Sequence, residues 1–519
     1  MDFDFPCANA PLRAAQDRRQ RPRGRQRLCF GFPASHPIIR TDLPIDQAIN
    51  DALAPWAARF SALVFHPVAI GQTEVPLIVG WLVLAAVVFT VYFGAVQWRM
   101  SGHALRLVLG GGQSRGPAGA PGEVSHFQAL ATALSGTLGL GNIAGVAVGL
   151  SLGGPGATFW MIVAGLLGMA SKFVECMLGV RFRRSNPDGS VSGGPMYYLS
   201  DGLAQRGLPV LGRTLAAVFA LLCIGGAIGG GNMFQANQAF HQVVAATGGE
   251  ASMLAERGWL FGLIAAALVG TVVIGGIRSI AAVANKLVPL MTLLYLGACA
   301  LVLALHADRL GGAAREILAG AFTGQGVAGG ALGALIQGFR RAAFSNEAGV
   351  GTSAIAHAAV RTRHPVTEGY VAMLEPFIGT VVVCTMTALV IVSSGALASG
   401  AAGVALTSTA FAGSIPGFAG VLALVVCLFA YSTAIAWAYY GLKCWTYLVG
   451  EGRRRALGFH LVYCGFVVVG ASMELAPVIA FADAMTFAMA VPNVIGLYLL
   501  MPLVRQEERE YRAALGRTG

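Results

Sequence analysis

Charged side chains are scarce in this sequence: Asp, Glu, Lys and Arg make up 11% of its 519 residues, against roughly a quarter in a soluble domain. Hydrophobic residues make up 56%, and the mean hydropathy is +0.68. This composition indicates an integral membrane protein. The formal net charge of +11 does not indicate a nucleic-acid partner, because the basic residues lie between apolar runs, where membrane topology places them.

Cysteine chemistry and catalytic motifs are missing as well. The nine cysteines form no CxxC pair and no Cys/His spacing typical of a zinc site, and most of them lie inside apolar runs. No nucleophile–base pair and no metal cluster can be recognised in the sequence. The pattern therefore favours a protein that is not an enzyme.

The two ends of the chain differ from its apolar middle. Residues 1–45 carry seven arginines between positions 13 and 27 without an apolar period, which predicts a basic, disordered arm. This arm lacks the apolar core of a signal peptide. Residues 46–76, with Trp56 and Phe60, predict an interfacial amphipathic segment. Residues 504–519 are predicted to form a cytoplasmic tail.

Between these ends lie apolar stretches of about 17 residues or more, each long enough to cross a bilayer as a helix. They predict an all-α membrane protein with about 11 transmembrane helices. The predicted spans are residues 77–98, 127–150, 156–180, 212–247, 259–276, 283–305, 328–360, 369–396, 417–449, 458–475 and 477–503.

The distribution of Lys and Arg orients these spans. If the first span runs inward, the inner loops and tail hold twenty basic residues. The outer loops after residue 76 hold only Arg257, Arg309 and Arg315. The positive-inside rule therefore predicts a multi-pass protein with its C-terminus in the cytoplasm. The expected location is the bacterial cytoplasmic (inner) membrane.

Two of the predicted spans are interrupted by glycine and hydrogen-bonding residues. The first break covers residues 135–142 (SGTLGLGN), and the second covers residues 344–351 (FSNEAGVG). Hydrocarbon offers no partner for a free backbone group, so such breaks survive where they line a cavity or hold an ion. One leading helix followed by two five-helix repeats, at about 127–305 and 328–503, would place a break at the start of each repeat. Because five is odd, the repeats have opposite orientations and the breaks meet near the midplane, as in secondary transporters.

The first break offers groups for both a cation and a zwitterion. Gly136, Gly139 and Gly141 let the backbone approach a ligand closely. Carbonyl groups at a helix end bind cations, and N–H groups bind carboxylates. Thr137 adds a hydroxyl, and Asn142 adds an amide oxygen suited to Na⁺. The alternative is close helix packing through small residues.

Several long motifs in fixed order give the chain a strong resemblance to the sodium:alanine symporter family, also called the alanine or glycine:cation symporters. They include FQALATALSGTLGLGNIAGVAVGL, GGGNMFQANQ, AAFSNEAGVGTSAIAHAA and YSTAIAWAYYG, and the similar region runs from about residue 75 to 505. The resemblance implies a leucine-transporter-type inverted repeat, within a transporter domain of residues 77–503. It also implies Na⁺-driven uptake of alanine or glycine by alternating access, with Na⁺ as the co-transported ion.

With this resemblance, the candidate site residues can be assigned. The substrate-binding candidates are Thr137, Gly139, Gly141, Gln235, Ser345, Asn346 and Trp437. The Na⁺ candidates are Ser135, Thr137, Leu138, Asn142, Ser432 and Thr433. Some of these side chains have a structural alternative, since Ser and Thr often bond back to their own helix and polar side chains often join neighbouring helices.

Charged residues inside the spans leave alternatives open. Glu347 would balance the substrate's amino group or Na⁺, or else pair with Arg340 or Arg341. Lys172 and Glu175 are i,i+3 neighbours and are predicted to pair. Gly379 stands where the family more often has an Asp. This chain therefore lacks a carboxylate that bears on ion coupling or on local stability in the family.

Two rival functions remain at this stage. A proton-coupled amino acid transporter would use Glu347 as its carrier, whereas an ion channel would need a continuous polar pore, which the sequence does not indicate. The expected partners are a small amino acid, Na⁺ and the lipid bilayer. Neither nucleic acid nor an obligate protein partner is indicated.

Overall fold

The computed structural model describes residues 44–70, 73–110, 122–186, 189–323 and 330–518. The predicted basic arm falls almost entirely outside them. The first half contains α1 (Pro44–Val64), β1 (Pro67–Ile70), β2 (Thr73–Pro76), α2 (Leu77–Tyr92), α3 (Val96–Leu109), α4 (His126–Thr137), α5 (Ala144–Gly153), α6 (Ala157–Arg181), β3 (Arg184–Ser185), β4 (Val191–Ser192), α7 (Pro195–Tyr197), α8 (Leu203–Gln205), α9 (Pro209–Ile228), α10 (Phe234–Ala246), α11 (Gly258–Val273) and α12 (Gly276–Leu305).

The second half of the chain is also helical. It contains α13 (Leu310–Thr323), α14 (Gly330–Asn346), α15 (Ser353–His357), α16 (Pro365–Ala372), α17 (Leu374–Pro376), α18 (Thr385–Ser394), α19 (Val404–Ser414), α20 (Ala419–Val449), α21 (Arg453–Ser472) and α22 (Leu475–Thr518). The π-helical turns Gly229–Met233 and Phe377–Cys384 join α9 to α10 and α17 to α18. The prediction of an all-α protein is confirmed, apart from two short hairpins.

The segment before the first span is more structured than predicted. Its helix α1 ends at Val64, and β1 and β2 then pair antiparallel, with Val68 opposite Val75. Phe65 packs against Phe487 of α22, with ring centroids 5.2 Å apart. The segment is therefore a helix and a hairpin, and α1 lies against the last helix.

Seven helices of the described region are long and apolar enough to cross a membrane, and two bent helix pairs qualify when each pair is taken as one span. The predicted count of eleven is not confirmed. One reason is α11, whose 16 residues extend about 24 Å, less than the hydrocarbon core of about 30 Å. The first span is bent by 78° between α2 and α3. Gly94 and Ala95 have φ values of 58° and 54° at this bend, which the sequence did not predict.

Both predicted breaks are present. In the first, α4 ends at Thr137, a 3₁₀ turn covers Leu140–Asn142, and α5 continues at an angle of 62° to α4. In the second, α14 ends at Asn346 and α15 begins at Ser353. Each predicted repeat thus contains its predicted broken helix.

Ends of separate helices that were predicted to share one side of the membrane contact one another. Arg181 at the end of α6 binds Glu507 near the end of α22, with N and O 2.6 Å apart. Arg278 at the start of α12 lies 3.4 Å from Glu123, just before α4. These ends therefore lie on one side, which the charge distribution predicts to be cytoplasmic.

Candidate functional site

The two breaks meet around a small cavity. The volume that the centre of a water molecule can occupy in it is about 10 Å³, enough for about one water molecule. The first break contributes four lining residues, and the second contributes Phe344 and Glu347. The lining comprises Gly136, Thr137, Gly139, Gly141, Gly230, Gln235, Phe344, Glu347, Thr433, Trp437 and Thr486.

Gly139 lies where the first break comes nearest to α20 and α10. A Cβ atom at this position would be 2.5 Å from Thr433 Oγ1 and 3.1 Å from Gln235 Oε1. Contacts below 3.0 Å require something to shift, and glycine avoids them. Gly141 faces the other break, since a Cβ there would be 3.1 Å from a ring carbon of Phe344. The glycines therefore allow three elements to converge on one point.

Gln235 holds the first break directly. The Leu140 N–H donates to Gln235 Oε1 at 3.1 Å, and Gln235 Nε2 donates to the Gly230 carbonyl at 2.9 Å. Its neighbour Asn232 has a different role, because Asn232 Nδ2 donates to the carbonyl of Tyr463 in α21 at 2.6 Å. Gln235 is thus the polar side chain of α10 that reaches the cavity.

Trp437 forms the wall opposite Gln235. Its Nε1–H donates to the Gly136 carbonyl at 3.3 Å. Its side chain packs so closely on α10's preceding turn that a Cβ at Gly231 would lie 2.3 Å from it. Trp437 therefore lines the cavity, and its contact with the substrate stays a prediction.

The second break presents residues other than the two assigned to substrate binding. Ser345 Oγ lies 3.0 Å from Thr380 Oγ1, and Asn346 Oδ1 accepts from the Ala348 N–H at 3.0 Å. Neither lines the cavity, whereas Phe344 and Glu347 do. Phe344 lies in the last turn of α14, and Glu347 directly follows the end of this helix, with its N–H still donating to the Ala343 carbonyl at 2.9 Å.

Glu347 has an uncommon backbone conformation and a local partner. Its φ of 53° lies in the left-handed region, which is rare for a residue with a side chain. Its carboxylate accepts from the Thr352 hydroxyl. The alternative that Glu347 pairs with an arginine is not realised, because Arg340 and Arg341 both bind Asp483 on α22.

Three of the predicted Na⁺ ligands lie together between α4 and α20. Ser135 Oγ lies 2.7 Å from the Ser432 carbonyl oxygen and 2.6 Å from Ser432 Oγ. Thr433 Oγ1 donates to the Ser135 carbonyl at 3.1 Å. Leu138 is fully buried where α4 ends. An all-oxygen group of this kind suits a hard cation.

Thr137 and Asn142 have other contacts. Thr137 lines the cavity, but its hydroxyl bonds back to the Ala133 carbonyl at 3.1 Å. Asn142 Nδ2 donates to the Gly379 carbonyl at 3.3 Å. The buried Asn142 Oδ1 has no hydrogen-bond partner among the described residues. The structure therefore separates Asn142 from the Ser135 group.

Two lining residues were missed by sequence reasoning. Thr486 on α22 lines the cavity, and its buried hydroxyl has no hydrogen-bond partner in the described part of the chain. Phe344 fills the space between the breaks. Thr486 lies in an ordinary apolar helix and gives no sequence signal, whereas Phe344 is recognisable only as part of the second break.

The predicted Lys172–Glu175 pair is not formed. Lys172 Nζ lies 3.4 Å from Glu375 Oε2 and donates to the Ser353 hydroxyl. Glu175 Oε1 instead accepts from Asn493 Nδ2 at 2.9 Å. The i,i+3 spacing allows the pair, but a second buried carboxylate lies closer to the ammonium group.

Comparisons with known proteins identify the family of this chain. The family model described as "Sodium:alanine symporter family" matches residues 64–518. The sodium/alanine symporter AgcS of Methanococcus maripaludis is 37% identical over 84% of this chain and 94% of its own length. The probable sodium/glutamine symporter GlnT of Bacillus subtilis is 32% identical over 84% of this chain and 87% of its own. Among solved structures, MhsT in complex with L-phenylalanine matches with a TM-score of 0.46 and 16% identity, over 75% of this chain and 100% of MhsT.

Proposed function

Because this chain belongs to the sodium:alanine symporter family, we propose that it uses the Na⁺ gradient to take up a small neutral amino acid, alanine or glycine. The observation that carries this proposal is the cavity bounded by both helix breaks. The cavity has room for about one water molecule, about 10 Å³ for its centre, so binding of an amino acid would need the site to widen. The indole of Trp437 in the lining would then limit the size of the side chain.

The lining gives each group of a zwitterion a place. The Leu140 N–H is held at 3.1 Å by Gln235 Oε1, an oxygen that a substrate carboxylate would replace. Glu347 supplies the negative charge for the amino group, and the Thr486 hydroxyl is available to either end. Trp437 then limits the length of the side chain.

Na⁺ would bind between α4 and α20. The Ser135 and Leu138 carbonyls and the Ser432 and Thr433 hydroxyls would hold it. The contacts among Ser135, Ser432 and Thr433, and the position of Leu138 just after the last residue of α4, support this set. Asn142 remains a predicted ligand at a separate place, supported by its unpartnered Oδ1. Na⁺ binding would order the first break, so the affinities for Na⁺ and substrate should rise together.

The test is uptake of radiolabelled alanine into proteoliposomes. An inward Na⁺ gradient in K⁺ buffer should drive accumulation, and the membrane potential should add about 2.3 kcal/mol per charge per 100 mV. Competition by glycine, serine, glutamine and D-alanine would define the substrate. Failure of Na⁺ to stimulate uptake would contradict the proposal.

Proton coupling is the second candidate, and the presence of Glu347 in the cavity lining favours it. The same vesicles with a pH gradient and no Na⁺ separate the two functions. Accumulation driven by the pH gradient alone would assign the coupling to protons.

A further inference from the structure

A cluster of buried titratable side chains lies outside the cavity, where α4, α6, α15, α16 and α17 meet. Four of its members, His126, His357, Glu368 and Glu375, lie within hydrogen-bond distance of one another in a chain. None is more than 4% exposed. Ionisable groups buried in a membrane protein are expensive and usually functional, and transport as proposed above does not use these four.

Glu368 contacts α4, which precedes the first break, and α15, which follows the second. One carboxylate oxygen contacts Nδ1 of His126, the first residue of α4. The other lies 2.5 Å from Nδ1 of His357, the last residue of α15. A single side chain of α16 therefore bridges the half-helix before the first break and the half-helix after the second.

His357 is bonded to carboxylates at both ring nitrogens. Its Nδ1 lies 2.5 Å from Glu368 Oε1, and its Nε2 lies 2.6 Å from Glu375 Oε1. A carboxylate only accepts hydrogen bonds, and a neutral imidazole carries one N–H. Both contacts need a proton, so the three groups together hold one proton more than a neutral imidazole and two carboxylates would.

We propose that Glu368, His357 and Glu375, here called the proton trio, form a proton-binding site that, through the contact of Glu368 with His126, holds α4 and α15 together on their side of the cavity. When α15 moves away from α4 and α16, Glu368 and His357 separate and water enters. Carboxyl and imidazole groups in water have pKa values of about 4.3 and about 6.5, so the additional proton then leaves to the solvent on that side. This proposal depends on the protein being a transporter, but not on which amino acid or ion it carries.

Other charged and titratable groups face the proton trio from each neighbouring element. The imidazole of His126 on α4 and the guanidinium of Arg183 after α6 face Glu368. The ammonium of Lys172 on α6 faces Glu375, and the thiol of Cys176 on α6 lies within 4.8 Å of the facing atoms of His357 and Glu375. The carboxylates of Glu175 and Glu347 and the phenol of Tyr440 also interact with Glu375. The bridging proton depends on the closed geometry, because it is shared between His357 and a carboxylate at each ring nitrogen.

The sign of the pH effect follows from this difference. The closed arrangement binds more protons than the open one, so acid favours closure and opening increases as the pH rises. With one proton released, the opening equilibrium changes by up to about tenfold per pH unit. The effect should begin above about pH 6.5, where an imidazole open to water loses its proton.

Backbone amides beside the cluster report the opening. Glu123 and Val124, just before α4, donate to the Ala359 carbonyl at 2.8 and 3.2 Å, and the Arg361 N–H donates to the Val124 carbonyl at 2.8 Å. These bonds join the start of α4 to the segment after α15. Their hydrogen exchange, divided by the intrinsic exchange rate at each pH, measures how often the two segments separate.

The experiment is hydrogen–deuterium exchange of the full-length protein in lipid nanodiscs without substrate. Glu368→Gln removes the need for the additional proton, because an amide accepts from one imidazole and donates to the other. Glu375→Gln does the same at the other ring nitrogen and serves as a second variant. Glu123→Gln is the matched control, since Glu123 accepts from the Val191 N–H on the same side and contacts no imidazole.

In the unmodified protein and in Glu123→Gln, protection of these amides should fall with rising pH by up to about tenfold per unit. In Glu368→Gln and Glu375→Gln it should be independent of pH. A flat profile in the unmodified protein overturns the proposal, and so does an unchanged slope in both amide variants. Because no substrate or Na⁺ gradient is needed, the result stands apart from the uptake test of the proposed function.

Discussion

Replacing Gly139 with alanine adds one methyl group at the point where the first break meets α10 and α20. The new Cβ would lie 2.5 Å from Thr433 Oγ1 and 3.1 Å from Gln235 Oε1. Overpacking of this kind costs about 1–3 kcal/mol. If the cost falls on the ligand-bound state, the concentration of Na⁺ needed for half-maximal uptake rises about 5- to 150-fold.

The assay is alanine uptake by proteoliposomes over a series of Na⁺ concentrations. Gly145→Ala is the matched control, because Gly145 is also buried and lies at the start of α5, just after the first break. A Cβ there would be 4.0 Å from the nearest atom. The control should keep the Na⁺ dependence of the unmodified protein. Equal Na⁺ dependence in both variants would refute the assignment of Thr433, whose hydroxyl the added methyl group would contact, to the Na⁺ site.

Three further predictions follow from the same contacts. Thr433→Ala should raise the half-saturating Na⁺ concentration by removing an oxygen ligand, as read from the Na⁺ dependence of uptake, whereas unchanged dependence would argue against this ligand. Gly379→Asp should lower the melting temperature in K⁺ buffer, and Na⁺ should restore the melting temperature. A Cβ at this position fits, with its nearest contact at 3.4 Å, but a buried carboxylate needs a cation. Gly379→Ala should show neither effect. Asp483→Asn should destabilise the protein by about 3–5 kcal/mol, because it leaves the buried Arg341 unpaired; thermal unfolding in detergent checks this, and an unchanged midpoint would contradict it.

The features that the sequence predicted well are those that depend on local chemistry. Glycine and amide residues inside an apolar run indicate a broken helix wherever they occur, so both breaks could be located to within a few residues. Gly139 was assigned to the substrate because glycine in a break lets the backbone approach a ligand, and Gln235 because of the family resemblance; helix packing and interhelical hydrogen bonds were the alternatives. The cavity brings both together.

The features that were missed depend on the direction in which side chains point around a helix axis and on neighbours that are distant in sequence. Ser345 and Asn346 face away from the cavity because α14 continues one turn further than the break predicted, which turns Phe344 and Glu347 inward. Lys172 contacts Glu375, which is distant in sequence, and spacing along one helix cannot reveal such a partner.

The hairpin of β1 and β2 and the bend after α2 were missed for a related reason. The hairpin depends on how β1 and β2 pack against the helices around them, and the bend depends on how the short interval between α2 and α3 packs. Neither interval carries a hydrophobic period. The Gly94–Ala95 pair that forms the bend looks like any small-residue pair in a membrane span.

The account's central claim is that the two breaks bind a small amino acid and Na⁺ together. Equilibrium binding of radiolabelled alanine to the purified protein, at Na⁺ concentrations balanced with K⁺, tests it most directly. The account predicts that alanine affinity rises with Na⁺, and that Na⁺ affinity rises by the same factor with alanine. Alanine binding with equal affinity in Na⁺ and in K⁺ would contradict it.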